Sequence, residues 1–151
     1  MKRLILIVTV LALAVTDCGG GDDISAEGQW ARNSPMNAQM GAAYMNITSA
    51  DGDTLVGGSV DSSIAASVEV HAMRPVEGQE GEEGMAMMEM VEIPQLGLPA
   101  GEAVNREPGG YHIMFINIAK PLEIGQMIEL TFEFEKADDM VIEVEVAEEA
   151  P

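Results

Sequence analysis

Two histidines stand in this sequence, His71 and His112, and each is followed two positions later by a methionine, Met73 and Met114. Residues i and i+2 of a β-strand point the same way, about 6.5 Å apart along the chain. Each His-x-Met pair can therefore present an imidazole nitrogen and a thioether sulfur side by side. A second group, Met85, Met87, Met88 and Met90, lies between the two pairs. Neutral thioether sulfur competes poorly for Zn²⁺, Mg²⁺ or Ca²⁺, but with imidazole it makes a soft donor set suited to Cu(I). Methionine is a weak strand former and specifies packing poorly, so a core would normally take Val, Ile or Leu here. With 12 methionines in 151 residues, the sulfur has a use beyond filling space.

The remaining composition narrows the chemistry. A single cysteine, Cys18, excludes an intrachain disulfide framework, a Cys-rich zinc site and an iron–sulfur centre. It also excludes a blue-copper carrier, which needs a thiolate within the fold. Ser62, Ser63 and Ser67 lie near His71 without a nucleophile-elbow pattern, so no hydrolase is expected and the chain is read as a non-enzyme. With 26 acidic against 7 basic residues, a net charge of −19, nucleic acid is not an expected partner.

Alternating patterns supply the elements that would hold these donors. In Met127–Glu135, Ile128, Leu130, Phe132 and Phe134 share one face while Glu129, Thr131, Glu133 and Glu135 share the other. Val141–Val146 repeats the scheme after a Lys136–Asp139 turn, predicting a C-terminal hairpin. Ala43–Thr48, Thr54–Val56, Ser67–His71 and Tyr111–Ile118 read as further strands, and no long amphipathic helix is expected. On Tyr111–Ile118 the parity sets His112 and Met114 opposite Ile113 and Phe115. The acidic, glycine-rich stretch Pro75–Gly84 reads as a mobile loop or hairpin tip. About seven short antiparallel strands predict an all-β chain, a Greek-key β-sandwich or barrel.

The N-terminus reads as an address. Met1-Lys2-Arg3 precedes the apolar run Leu4–Val15, too short to span a bilayer and of signal-peptide form. Cys18 and the glycines after it resemble a bacterial lipoprotein signal, although Asp17 replaces the usual small residue before the cysteine. The expected organisation is a signal peptide over 1–17, a flexible linker over 18–28 and one domain over 29–148. The domain is placed outside the cytoplasm, in the periplasm or at the cell surface. Acylation of Cys18 would anchor it to the membrane.

The chain also resembles the periplasmic copper chaperone family PCuAC (DUF461), whose signature ends in Met, twenty-one residues and His-x-Met. Val91–Tyr111 supplies those twenty-one residues between Met90 and His112. The resemblance extends through Trp30-Ala31-Arg32, Ala43-Tyr44-Met45, Val68-Glu69-Val70-His71 and Pro108–Met114, over about residues 30–146. It implies a cupredoxin-like β-sandwich that binds Cu(I) at an exposed edge through His71, Met90, His112 and Met114. It further implies delivery to a copper-accepting protein, a respiratory oxidase subunit or its assembly factor. Eighteen residues separate His71 from Met90, more than the family's spacing, and Ala72 stands where a methionine is usual. Met73, Met85, Met87 and Met88 therefore stay open as alternates, while Glu69, Glu89 and Glu92 read as solvated strand residues. Two further readings remain: a metal-free domain that docks partners through its Met-rich loop, and a copper-sequestering resistance protein.

Overall fold

The computed structural model describes residues 23–80, 86–106 and 110–150. Ten strands are formed, and no helix occurs among the described residues. They are β1 (Ile24–Arg32), β2 (Met40–Ser49), β3 (Asp53–Val60), β4 (Ala65–Glu80), β5 (Ala86–Glu92), β6 (Leu96–Leu98), β7 (Ala103–Arg106), β8 (Tyr111–Ile118), β9 (Met127–Phe134) and β10 (Met140–Ala147). Hydrogen bonding orders them β5-β4-β8-β2-β1-β10-β9-β3-β6, with β7 also paired to β2. Every pair is antiparallel except β1 with β10, so the sheet is mixed rather than wholly antiparallel.

The sheet curls until β3 packs against β4, which encloses the core. Gly58 permits that approach: a Cβ there would stand 3.2 Å from a methyl of Val68 and 3.1 Å from the Thr131 carbonyl oxygen. Alternate residues of each strand fill the interior. Ile128, Leu130 and Phe132 of β9, Val144 and Val146 of β10, Ile47 of β2 and Ile113 and Phe115 of β8 are almost fully buried. Each such side chain contributes roughly 1.5–3 kcal/mol by leaving water. The expected C-terminal hairpin is present in the register Met140↔Phe132 to Glu145↔Met127.

Two expected irregular stretches are strand instead. Residues 24–28, placed in the linker, belong to β1, where Ile24 pairs with Ser49 and Glu27 with Asn46. The register shifts between Glu27 and Trp30, and Gly28 adopts φ 64°. That left-handed glycine bulge breaks the alternation by which strands are recognised. Pro75–Glu80, expected as part of a loop or hairpin tip, instead continues β4, which runs for 16 residues and pairs back antiparallel onto β5. The signal segment, Cys18 and Met85 lie outside the described residues.

Candidate metal centre

Register, rather than any local turn, assembles the donors. On β4 and β8, His71 stands directly opposite His112, and Glu69 opposite Met114. On the other flank of β4, His71 pairs with Glu92 of β5, and Met73 with Met90. Residues paired across antiparallel strands share a face. Glu69, His71, Met73, Met90, His112 and Met114 therefore lie on one face, while Val70, Ile113 and Phe115 turn to the core. Met90 and Met114 occupy opposite diagonals of His71. Such diagonal neighbours sit about 7–8 Å apart, within reach of long side chains. The four residues expected from the sequence are thus neighbours in space.

The two imidazoles are 6.2 Å apart between ring centroids. Each ring has one nitrogen committed to an acceptor. Nε2 of His71 donates to Glu69 Oε2 at 2.9 Å, and Nδ1 of His112 donates to the Gly110 carbonyl at 3.2 Å. Because a carboxylate and a carbonyl only accept, the facing nitrogens carry the protons. The lone pairs are left on Nδ1 of His71 and Nε2 of His112. Nδ1 of His71 is buried with no hydrogen-bond partner among the described residues, a costly condition for a polar atom unless something else satisfies it. Metal-binding histidines characteristically hold their second nitrogen in this way, which fixes the tautomer and aims the lone pair. The donor set present therefore fits a soft cation.

Glu69, expected to be solvated, is half-buried and engaged with His71; its other oxygen takes a longer hydrogen bond from the Ser67 hydroxyl at 3.5 Å. Its spacing of two residues from His71 was the available signal. An aromatic wall, also not expected as part of the site, backs His112. Trp30 lies 5.0 Å from Tyr44, and Tyr44 lies 6.5 Å from His112, between ring centroids. Both aromatics are buried.

Burial pushes the His112 pKa down, the Gly110 carbonyl partly offsets this, and neighbouring His71 pushes it down further. The net direction is below the ordinary value, so at neutral pH the imidazole is neutral and its lone pair is available. The edge is less open than expected. His112 and Met114 are 5% and 6% exposed, whereas Met88 and Met90 on β5 are 50% and 49% exposed. The site has a closed wall toward β8 and β2 and an open side toward β5. Met87 is exposed but alternates away from the shared face. Among the described residues, no group of three or more His, Cys, Asp or Glu side chains is placed to hold a metal ion.

An all-β fold thus carries two cross-strand imidazoles and several thioethers on one strand face, a donor set suited to a soft metal ion. The sequence family described as "Putative lipoprotein LpqE-like" matches residues 24–146, and the chain belongs to this family, the PCuAC (DUF461) family. A curated relative, "Putative lipoprotein Lxx21020" of Leifsonia xyli subsp. xyli, is 26% identical over 135 residues, spanning 89% of this chain and 76% of the relative. Among solved structures, the copper-bound PCuAC domain from PmoF2 superposes with a TM-score of 0.64 at 25% identity, covering 87% of this chain and 96% of that one. The solution structure of CuI-DR1885 from Deinococcus radiodurans gives a TM-score of 0.58 at 20% identity, covering 89% and 83%. The fold is accordingly the cupredoxin-like fold of PCuAC domains.

Proposed function

We propose that this protein is an extracytoplasmic copper chaperone that takes up Cu(I) through His71, His112, Met90 and Met114 and passes it to an acceptor. The observation that carries this reading is the cross-strand pair His71–His112, in which Glu69 and Gly110 each hold one ring proton and leave the other nitrogen able to donate. The copper-bound PCuAC structures support copper as the ion. Two imidazoles give affinity, and thioethers give a soft site that an incoming acceptor can dismantle one ligand at a time. A respiratory oxidase copper centre, or a factor that assembles it, fits as acceptor. A signal over 1–17 and acylation at Cys18 would hold the domain at the membrane surface, a reading supported by the lipoprotein names of its relatives. The linker then ends before β1 at Ile24.

Anaerobic titration with Cu(I) against a competing chelator tests this. One equivalent bound tightly by the wild type, and lost in His71→Ala/His112→Ala, is the expected result. Binding no tighter than that of an unrelated acidic protein would favour a metal-free docking domain, to which the exposed Met87, Met88 and Met90 lend some support. Delivery differs from sequestration in phenotype: a deletion strain should lose oxidase activity at low copper rather than become copper-sensitive.

A further inference from the structure

Two methionines on the open side of the site, Met73 and Met88, are left unused by the four-donor reading, although both lie beside Met90. Met73 is the direct cross-strand partner of Met90, and Met88 lies one parity step from Met90, opposite Pro75. All three therefore share the face that carries His71 and His112. Directly opposed side chains have Cβ atoms about 5 Å apart, and i, i+2 neighbours on a strand lie about 6.5 Å apart. Three flexible thioethers at these spacings can converge on one ion. Core packing does not account for Met88 and Met90, which leave half their surface in water, and Met73 opposite Met90 is only partly buried. Pro75 brings no competing donor to the cluster, and the charged Glu89 between Met88 and Met90 points to the other face.

From this arrangement we infer that Met73, Met88 and Met90 form a second, all-thioether position for Cu(I), adjacent to the histidine pair and serving as its exit. The inference rests on the chaperone reading and adds a route to it. Met90 is common to both positions: it is diagonal to His71 on one side and belongs to the thioether cluster on the other. The ion can keep its bond to Met90 sulfur while the bonds to His71, His112 and Met114 break and bonds to Met73 and Met88 form. Copper remains Cu(I) throughout, so no electron is exchanged. No proton is required either, since the departing imidazoles regain the neutral tautomers that Glu69 and Gly110 already hold. The shift carries the ion from a wall where His112 and Met114 are nearly inaccessible to an edge strand of the sheet, β5, where an acceptor can reach it. Softness sets the ligand class: a monovalent d¹⁰ cation is expected at this position, whereas Zn²⁺ is not.

The test compares the full chain with Met73→Leu/Met88→Leu, in which leucine keeps the apolar volume and removes both sulfurs. Equilibrium Cu(I) affinity is measured by chelator competition, and release is followed by rapid mixing of the Cu(I)-loaded protein with excess bathocuproine disulfonate. The expected result is release slowed by roughly tenfold, equivalent to about 1.4 kcal/mol of added barrier, with affinity little changed. Ag(I), a second d¹⁰ probe, should show the same split. Unchanged release from a variant that still loads copper would overturn the exit position alone. A comparable loss of affinity would also overturn it, by making these sulfurs part of the resident site. Failure of the wild type to bind Cu(I) would overturn the chaperone reading and the exit with it.

Discussion

Glu69 accepts a hydrogen bond from Nε2 of His71 at 2.9 Å, and the buried Nδ1 of the same ring has no partner among the described residues. The carboxylate thus holds the proton on Nε2 and leaves the lone pair of His71 on Nδ1. Outer-shell partners of this kind typically change metal affinity by about 10–100-fold when removed. Glu69→Ala should weaken Cu(I) binding by that order, and ¹⁵N NMR of the metal-free protein should show the Nε2-protonated tautomer of His71 losing its dominance. An unchanged tautomer with unchanged affinity would mean that the contact is incidental.

Met114 is buried beside His112 on β8, so its sulfur and its bulk must be separated experimentally. Met114→Leu preserves volume and should cost less than about 1.5 kcal/mol of stability. Its Cu(I) affinity should nonetheless fall by more than that of Met36→Leu, which alters a methionine 90% exposed and outside the site. Chelator competition and thermal unfolding of both variants check this; equal affinities would remove Met114 from the ligand set.

Tyr44 stands between Trp30 and His112 and is buried. Tyr44→Ala removes a packed ring and should destabilise the fold by about 3–5 kcal/mol, the range for large aromatic truncations. Tyr44→Phe keeps the ring and should leave both stability and Cu(I) affinity close to wild type. Urea unfolding at neutral pH distinguishes these outcomes, and a strong effect of Tyr44→Phe would show that the hydroxyl, not the ring, supports the site.

Far from the donors, Asp53 joins the start of β3 to the β9–β10 turn. Burial works against its ionisation, but the backbone amides of Ala137, Thr54 and Lys136 donate to its carboxylate and hold its pKa below the ordinary value, helped by the Lys136 charge. A depressed carboxylate pKa means that the unfolded chain takes up the proton first. Its stabilisation is therefore full above the unfolded pKa of about 3.9 and is lost as the pH falls through the lower folded value. Asp53→Asn should cost about 1–3 kcal/mol at neutral pH and should flatten the loss of stability on acidification. Parallel stability curves for wild type and variant down to pH 3 would contradict this.

The core strands were readable because their solvent faces alternate cleanly: Glu129, Glu133 and Glu143 mark the outside as plainly as Leu130, Phe132 and Val144 mark the inside. β1 was not, since Ser25, Glu27 and Gly28 offer little to bury and the bulge at Gly28 breaks the parity. β6 and β7, of three and four residues, are too short to show any period. Within the site, local parity put His112 beside Met114 and Met88 beside Met90. The opposition of His71 and His112 depends on the register of strands from distant parts of the chain, which turn chemistry alone does not set. Glu69 reads as solvated because an alternating glutamate ordinarily faces water, whereas here the neighbouring imidazole gives it a partner.

X-ray absorption at the copper edge of the Cu(I)-loaded chain reads the donor set directly. A first shell of two nitrogen and two sulfur neighbours in the wild type, with no copper retained by His71→Ala/His112→Ala after the same loading, is the predicted result. A shell of oxygen and nitrogen only, unaffected by loss of the two histidines, would contradict the assignment of this face as the copper site.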